Sequence, residues 1–264
     1  MIASPSFKGK RYAVLGLARS GAAAAEALLA SGAEVIAWDR QPHAREPFEG
    51  RCRLIDPLEL DLTGFAGVVV SPGVPLNSHP IGPHTWQYGL PVIGDIELFA
   101  QARASLPPHK VVGITGTNGK STTTALVHHI LETAGVPTTM GGNIGLPILA
   151  QDPLPEGGVY VLELSSFQID LTQSLDCDVA VLLNITPDHL DRYESFEAYT
   201  AAKMRIFEMQ SAERVSLDVT PPKNHRSDRD DDMLKRQKDW PALQGRHNAR
   251  NALAAIQCLR RASL

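Results

Sequence analysis

Residues 111–124, Val-Val-Gly-Ile-Thr-Gly-Thr-Asn-Gly-Lys-Ser-Thr-Thr-Thr, constrain the fold of this chain more than any other stretch. A short apolar run rich in β-branched residues feeds a glycine-rich turn, and the turn ends in Lys120-Ser121 at the start of a helical pattern. A strand, tight turn and helix in that order belong to a parallel sheet covered by helices. In that setting the amides of the turn point at an anion, and the helix N-terminus adds partial positive charge. Gly116, Thr117, Asn118 and Gly119 form the candidate phosphate cradle, followed by Lys120, Ser121 and Thr122. Lys120 is placed to reach the β- and γ-phosphates of ATP, and the Ser121 hydroxyl to ligate Mg²⁺. The strict phosphate-loop spacing is not met. Counting back from Gly119, the first glycine should stand at position 114, which is Ile114. The competing reading is a glycine turn with an incidental lysine.

Bulk properties serve mainly to exclude. With 264 residues the chain is long enough for two domains, each with its own core. A net charge of −4 argues against a nucleic-acid binder relying on a basic surface. Cys52, Cys177 and Cys258 are widely spaced, without CxxC or metal spacing, as expected of thiols in a reducing compartment. The first residues, Met-Ile-Ala-Ser-Pro-Ser-Phe-Lys, lack the apolar core of a signal peptide. The apolar stretch 12–38 is broken by Arg19, Glu26 and glycines, so no membrane insertion is expected. The expectation is a cytoplasmic enzyme; the sequence gives no oligomeric state, and a monomer is taken as the default.

The first 106 residues read as a Rossmann-like α/β domain. Arg11–Leu17 is a buried strand, Ala18-Arg19-Ser20-Gly21 turns into an alanine-rich helix ending near Gly32, and Glu34–Trp38 is a second strand ending in Asp39-Arg40. A later strand, Gly67–Val70, runs into Ser71-Pro72-Gly73-Val74-Pro75, and open α/β sheets bind ligands at such carboxyl ends. Ala18 occupies the second glycine position of GxGxxG, which disfavours a nicotinamide dinucleotide. Pro107-Pro108 opens a second domain, residues 107–264, with a central phosphate-loop ATP-binding α/β fold. Its expected elements are a helix to about Ala134, strands Val159–Leu164 and Val179–Asn184, and helices over 195–210 and 248–261. Residues 211–241, with Pro221-Pro222, mixed charge and little apolar periodicity, read as irregular.

Beyond the loop, Glu163 stands at a strand end where a carboxylate can hold Mg²⁺ or a water; the competing reading is an exposed strand-end glutamate. Asp188, His189 and Asp191 cluster on a turn after the next strand, as a metal site or as a solvated polar turn. Lys203 lies mid-helix, where most lysines are surface residues, and spacing alone gives it no role.

Together these motifs resemble the Mur ligases of peptidoglycan synthesis, and most closely their D-glutamate-adding branch. The match is carried by Thr115 to Ser121, Gly141 to Pro147, Leu162 to Gln168, Asn184 to Tyr193, Ala202-Lys203 to Phe207, Gly245 to Asn251 and Ser71-Pro72-Gly73-Val74. The resemblance implies an ATP- and Mg²⁺-dependent ligase joining D-glutamate to UDP-N-acetylmuramoyl-L-alanine through an acyl phosphate. It implies that Arg19, Ser20, Gly21, Asp39, Arg40, Ser71, Pro72 and Gly73 receive the UDP end of that substrate. Asn143 and Ser165 would then lie at the muramoyl-alanine end, and Asn248 at the adenine. Lys120, Glu163, His189 and Lys203 would be catalytic, with Ser121, Glu163, His189 and a carbamylated Lys203 sharing the metal sites. Carbamylation requires a neutral amine, so a lowered Lys203 pKa is implied as well. The family's third, C-terminal, amino-acid-binding domain has no counterpart in these residues. A chain without it is expected to ligate poorly, which leaves a non-catalytic ATP- and UDP-substrate-binding remnant, or an interaction protein, as the second reading.

Overall fold

A computed structural model describes residues 1–189, 191–220, 233 and 235–262. The chain divides into two compact units. The first comprises Met1–Pro107, Leu146–Pro153 and Phe167–Leu175; the second comprises Pro108–Gly145, Leu154–Ser166 and Asp176–Leu264. Two segments that the sequence reading kept with the second domain, 146–153 and 167–175, therefore pack with the first unit. Among the described residues no helix is long and apolar enough to cross a membrane.

The first unit holds a five-stranded parallel sheet in the order β3-β2-β1-β4-β5. Its strands are β1 (Arg11–Leu15), β2 (Glu34–Trp38), β3 (Arg53–Leu54), β4 (Gly67–Val70) and β5 (Val92–Ile93). Four of the five β1 residues and all of β4 are buried, the continuous apolar character of strands covered on both faces. Helix α1 (Arg19–Ala30) is built mainly of alanine and leucine, strong helix formers, and ends where Gly32 takes φ 76°. Short helices α2 (Pro42–Arg45) and α3 (Ile81–Trp86) and the eight-residue α4 (Asp95–Ala102) complete the unit. Leu171, from the 167–175 segment, joins the core formed by Ala13, Leu15, Ile36, Val68 and Val70.

The second unit repeats the plan, with order β10-β9-β6-β8-β7. Strand β6 (His109–Thr115) lies at the centre, between β8 (Gly158–Glu163) and β9 (Val179–Leu182); β7 (Thr138–Gly142) and β10 (Val215–Asp218) are the edges. Helices α5 (Lys120–Thr133), α7 (Phe196–Glu208) and α8 (Arg246–Arg261) belong to this unit, while the short α6 (Ser166–Asp170) starts at its Ser166 and runs into the 167–175 segment of the first. Ser195 caps α7, its hydroxyl accepting from the Ala198 amide at 3.1 Å. Strand β10 corrects the reading of 211–241 as irregular: Val215–Asp218 pairs in parallel register with Val179–Leu182. Only Leu217 of that strand is buried, so it carries little apolar signal, and Arg214 anchors it through Asp176 and Asp178. The Pro221–Asp232 part of that call lies outside the described residues.

Candidate nucleotide site

In each sheet the strand order reverses beside its central strand, β1 or β6, and ligand-binding loops gather at the carboxyl ends there. In the second unit those loops follow β6, β8 and β9.

The loop after β6 is held open by its neighbours. Thr117 N–H donates to Asn184 O at 2.9 Å, and the Asn184 side chain brackets Asn118, accepting from its N–H at 2.9 Å and donating to its carbonyl at 2.8 Å. The Thr117 hydroxyl meets Tyr199 Oη at 3.1 Å and accepts from the Thr186 amide at 3.0 Å. Gly119 opens α5 at φ 85°, and a Cβ there would stand 2.3 Å from Asn251 Oδ1. Both facts require glycine. Asn184, Tyr199 and Asn251 position the loop, yet sequence reasoning gave them no role. Asn184 and Asn251 were visible only as members of motifs, and Tyr199 as a helical aromatic.

Two lysines converge on one carbonyl. Lys120 Nζ donates to Gly116 O at 3.0 Å and to Thr117 O at 2.9 Å; Lys203 Nζ donates to the same Gly116 O at 2.9 Å. Burial pulls the Lys120 pKa down, opposed by the charges of Glu163 and Asp188. Lys203 is only 2% exposed and stands 4.8 Å from the Tyr199 ring centroid, so it is a core lysine rather than a surface one. Glu163 is likewise buried. Its Oε1 accepts from Asn143 Nδ2 at 2.7 Å, while Oε2 has no hydrogen-bond partner, although burying an unpaired carboxylate oxygen is costly. Ser121 is exposed at the first turn of α5, and Ser165 half-buried just past β8.

The turn after β9 carries Asp188 and His189. His189 takes φ 52°, rare outside glycine, with its Nε2 3.6 Å from Asp188 Oδ2. Among the described residues no three His, Cys, Asp or Glu side chains come together as a metal cage. Asp188, His189 and Asp191 therefore do not make a metal cluster of their own. Asn248 Nδ2 donates to Gln244 O at 3.1 Å in the first turn of α8.

In the first unit, the turn after β1 lies against the loop after β4. Ser71 N–H donates to Leu15 O at 3.0 Å, and Ser71 Cβ lies 2.9 Å from where a Gly16 Cβ would stand. A Cβ on Gly21 would lie 1.8 Å from Gly16 O, so the turn closes only with glycine. Asp39 Oδ2 accepts from the Leu17 amide at 2.7 Å and Oδ1 from the Gln41 amide at 2.9 Å. Its carboxylate thus fixes the turn to the end of β2. Ser20 and Pro72 are half-buried, and Arg19, Arg40 and Gly73 exposed. Ala18 gives α1 no side-chain cap, which leaves the first amides of the helix for a ligand.

This is the architecture of a phosphate-loop α/β protein with a second, Rossmann-like unit. Residues 114–238 match the Mur ligase middle domain. The chain is 60% identical over 275 aligned positions to the UDP-N-acetylmuramoylalanine–D-glutamate ligase of Novosphingobium aromaticivorans, covering 98% of this chain and 62% of the relative. With the ligase of the same name from Sphingopyxis alaskensis the identity is 62%, covering 98% of this chain and 63% of the relative. Among solved structures it is similar in fold to UDP-N-acetylmuramate:L-alanyl-gamma-D-glutamyl-meso-diaminopimelate ligase from Neisseria meningitides. That match has TM-score 0.58 and 19% identity, covering 97% of this chain and 94% of that one. The chain belongs to the Mur ligase family, and it spans just over three fifths of the length of the curated relatives it matches.

Proposed function

We propose that this chain carries the ATP and UDP-substrate sites of a D-glutamate-adding ligase of peptidoglycan synthesis, acting in the cytoplasm. A carboxylate oxygen of UDP-N-acetylmuramoyl-L-alanine attacks the γ-phosphorus of ATP, and ADP leaves. The amine of D-glutamate then attacks the acyl carbon, the C–O bond to phosphate breaks, and the amine's surplus proton passes to solvent. The two lysine side chains sharing Gly116 O, beside a buried carboxylate with one unpartnered oxygen, are the observation that carries this reading.

A carboxylate nucleophile and a triphosphate repel each other, so the site has to supply positive charge in a water-poor setting. Lys120 does so from the loop: its donors now rest on Gly116 and Thr117 carbonyls and are free to turn to phosphate oxygens. The amides of residues 116–121 bind the phosphates, Thr122 continues the α5 N-terminus, and Asn248 meets the adenine. The orphan Glu163 oxygen fits a cation. Ser121, Glu163, His189 and a carbamylated Lys203 would hold Mg²⁺, which supplies further neutralising charge when bound. Asn143 orients Glu163, and with Ser165 it meets the muramoyl-alanine end. Arg19, Ser20, Gly21, Asp39, Arg40, Ser71, Pro72 and Gly73 receive the UDP moiety.

The test is product formation. Purified chain is incubated with ATP, Mg²⁺, bicarbonate, D-glutamate and UDP-N-acetylmuramoyl-L-alanine, and the UDP-muramoyl dipeptide is sought by mass spectrometry. Product that disappears in Lys120→Ala supports ligation. Binding of both nucleotides without product supports the second reading, a binding protein that does not ligate.

A further inference from the structure

Arg45, the last residue of α2, is held in place without using its donors. Its guanidinium lies over the Trp38 ring, 4.1 Å from the centroid, and the side chain is half-buried. An aromatic face attracts a cation through charge and takes up no N–H in doing so. Among the described residues the Arg45 head makes no hydrogen bond and no ion pair. Arg11, by contrast, is paired with Glu34, and Arg51 with Glu26. Arg45 thus keeps a planar fork of N–H donors, already ordered, with no described protein acceptor to receive them. Trp38 sets that fork beside the candidate anion turn. It ends β2, its carbonyl accepts from the Gly16 amide at 2.8 Å, and its ring packs against the core of the sheet. Asp39 then ties the connection from β2 to α2 back to the turn, through the Leu17 and Gln41 amides.

A nucleotide whose diphosphate sits on the turn after β1 runs its ribose past the end of β2, as in other open parallel sheets. Its base then extends toward α2, with the edge farthest from the ribose leading. On uracil that edge carries the C4 carbonyl oxygen, an acceptor; on cytosine it carries an amine, a donor. A guanidinium can only donate, so it satisfies the oxygen and opposes the amine. We propose that Arg45, held by Trp38, donates to the C4 oxygen of the base and so selects uridine over cytidine diphosphate esters. Trp38 is the positioning residue. It fixes the fork and leaves every donor to the ligand, so less side-chain freedom is lost on binding. This rests on the reading of the first unit as the UDP site, and goes beyond it in naming what recognises the base.

The experiment is calorimetric titration of the full chain with UDP and with CDP, which differ only in the base. Wild type should bind UDP about tenfold more tightly than CDP, the worth of one charge-assisted hydrogen bond. Arg45→Met removes the donors and should bring the two affinities to within about twofold, by weakening UDP alone. Trp38→Leu should lower the preference in the same direction while leaving CDP affinity near that of wild type. Trp86→Phe combined with Trp240→Phe leaves Trp38 as the sole tryptophan, and its emission should change at saturating UDP. Equal wild-type affinities for UDP and CDP, or an Arg45→Met loss that falls equally on both, overturn the inference while leaving the UDP site standing. UDP binding that leaves Trp38 emission unchanged overturns it as well, since the nucleotide would then lie elsewhere. Failure of both UDP and UDP-N-acetylmuramoyl-L-alanine to bind overturns the substrate reading and this inference with it.

Discussion

An unpartnered carboxyl in a protein core is tolerable while neutral and costly once ionised, and Asp95 has a folded value of about 6 against 3.8 for the free side chain. A folded value above the unfolded one means that the native state holds its proton longer. The associated stability is complete below about pH 4 and is lost as pH rises through about 6. By neutral pH the loss is about 3 kcal/mol at most, from a rise of about two units. Asp95→Asn should therefore raise stability at neutral pH by about 1–3 kcal/mol, with little change near about pH 4. Urea denaturation at the two pH values measures this, and an asparagine variant equally destabilised at both would refute it. Asn184 acts at the same scale in the other unit. Its side chain makes two hydrogen bonds to the Asn118 backbone in the phosphate loop. Asn184→Ala should weaken ATP binding by about ten- to a hundredfold, the worth of two hydrogen bonds, with a thermal transition near that of wild type. Unchanged ATP affinity in a titration would remove Asn184 from the loop's support.

At the scale of elements, α4 is a clamp. Glu97 is buried and its carboxylate accepts four hydrogen bonds: from the Gln173 amide at 2.7 Å, the Ser174 amide at 2.9 Å, the Ser174 hydroxyl at 2.8 Å and Gln101 Nε2 at 3.0 Å. The Gly94 amide adds a bond to Leu171 O at 3.0 Å. Segment 167–175 is tied to this helix by those bonds, so Glu97→Ala should cost about 2–4 kcal/mol and speed amide exchange at residues 171–174. A variant as stable as wild type, with protection unchanged there, would contradict the clamp. The sequence shows why such pieces were hard to read. The phosphate loop, the Glu163 strand end and the α1 turn announce themselves because their chemistry lies within a few consecutive residues. Glu97 and Lys203 act through partners more than 70 positions away, and a charged residue in a helix is normally solvated. Strand β10 escaped for a related reason, since its place depends on β9 and on Arg214 more than on its own pattern.

At the scale of the molecule, two parallel sheets each carry a candidate ligand loop at the carboxyl ends of their strands, each over its own core. The phosphate loop takes every described supporting contact from the second unit: Asn184, Thr186, Tyr199, Lys203 and Asn251. The α1 turn takes its described support from Asp39 and Ser71, both of the first. Ligand stabilisation should follow the same division. A ligand at about a hundred times its Kd stabilises the structure it binds by about 2.7 kcal/mol, and protection from hydrogen exchange appears where that structure opens. ATP with Mg²⁺ should slow exchange at residues 116–122 and 184–186, and UDP-N-acetylmuramoyl-L-alanine at 17–21 and 71–74. Lys120→Ala should erase the first pattern and leave the second intact, because its side-chain hydrogen bonds go to its own loop. If Lys120→Ala abolished both patterns while its unliganded exchange matched wild type, the two sites would not be independent binding units.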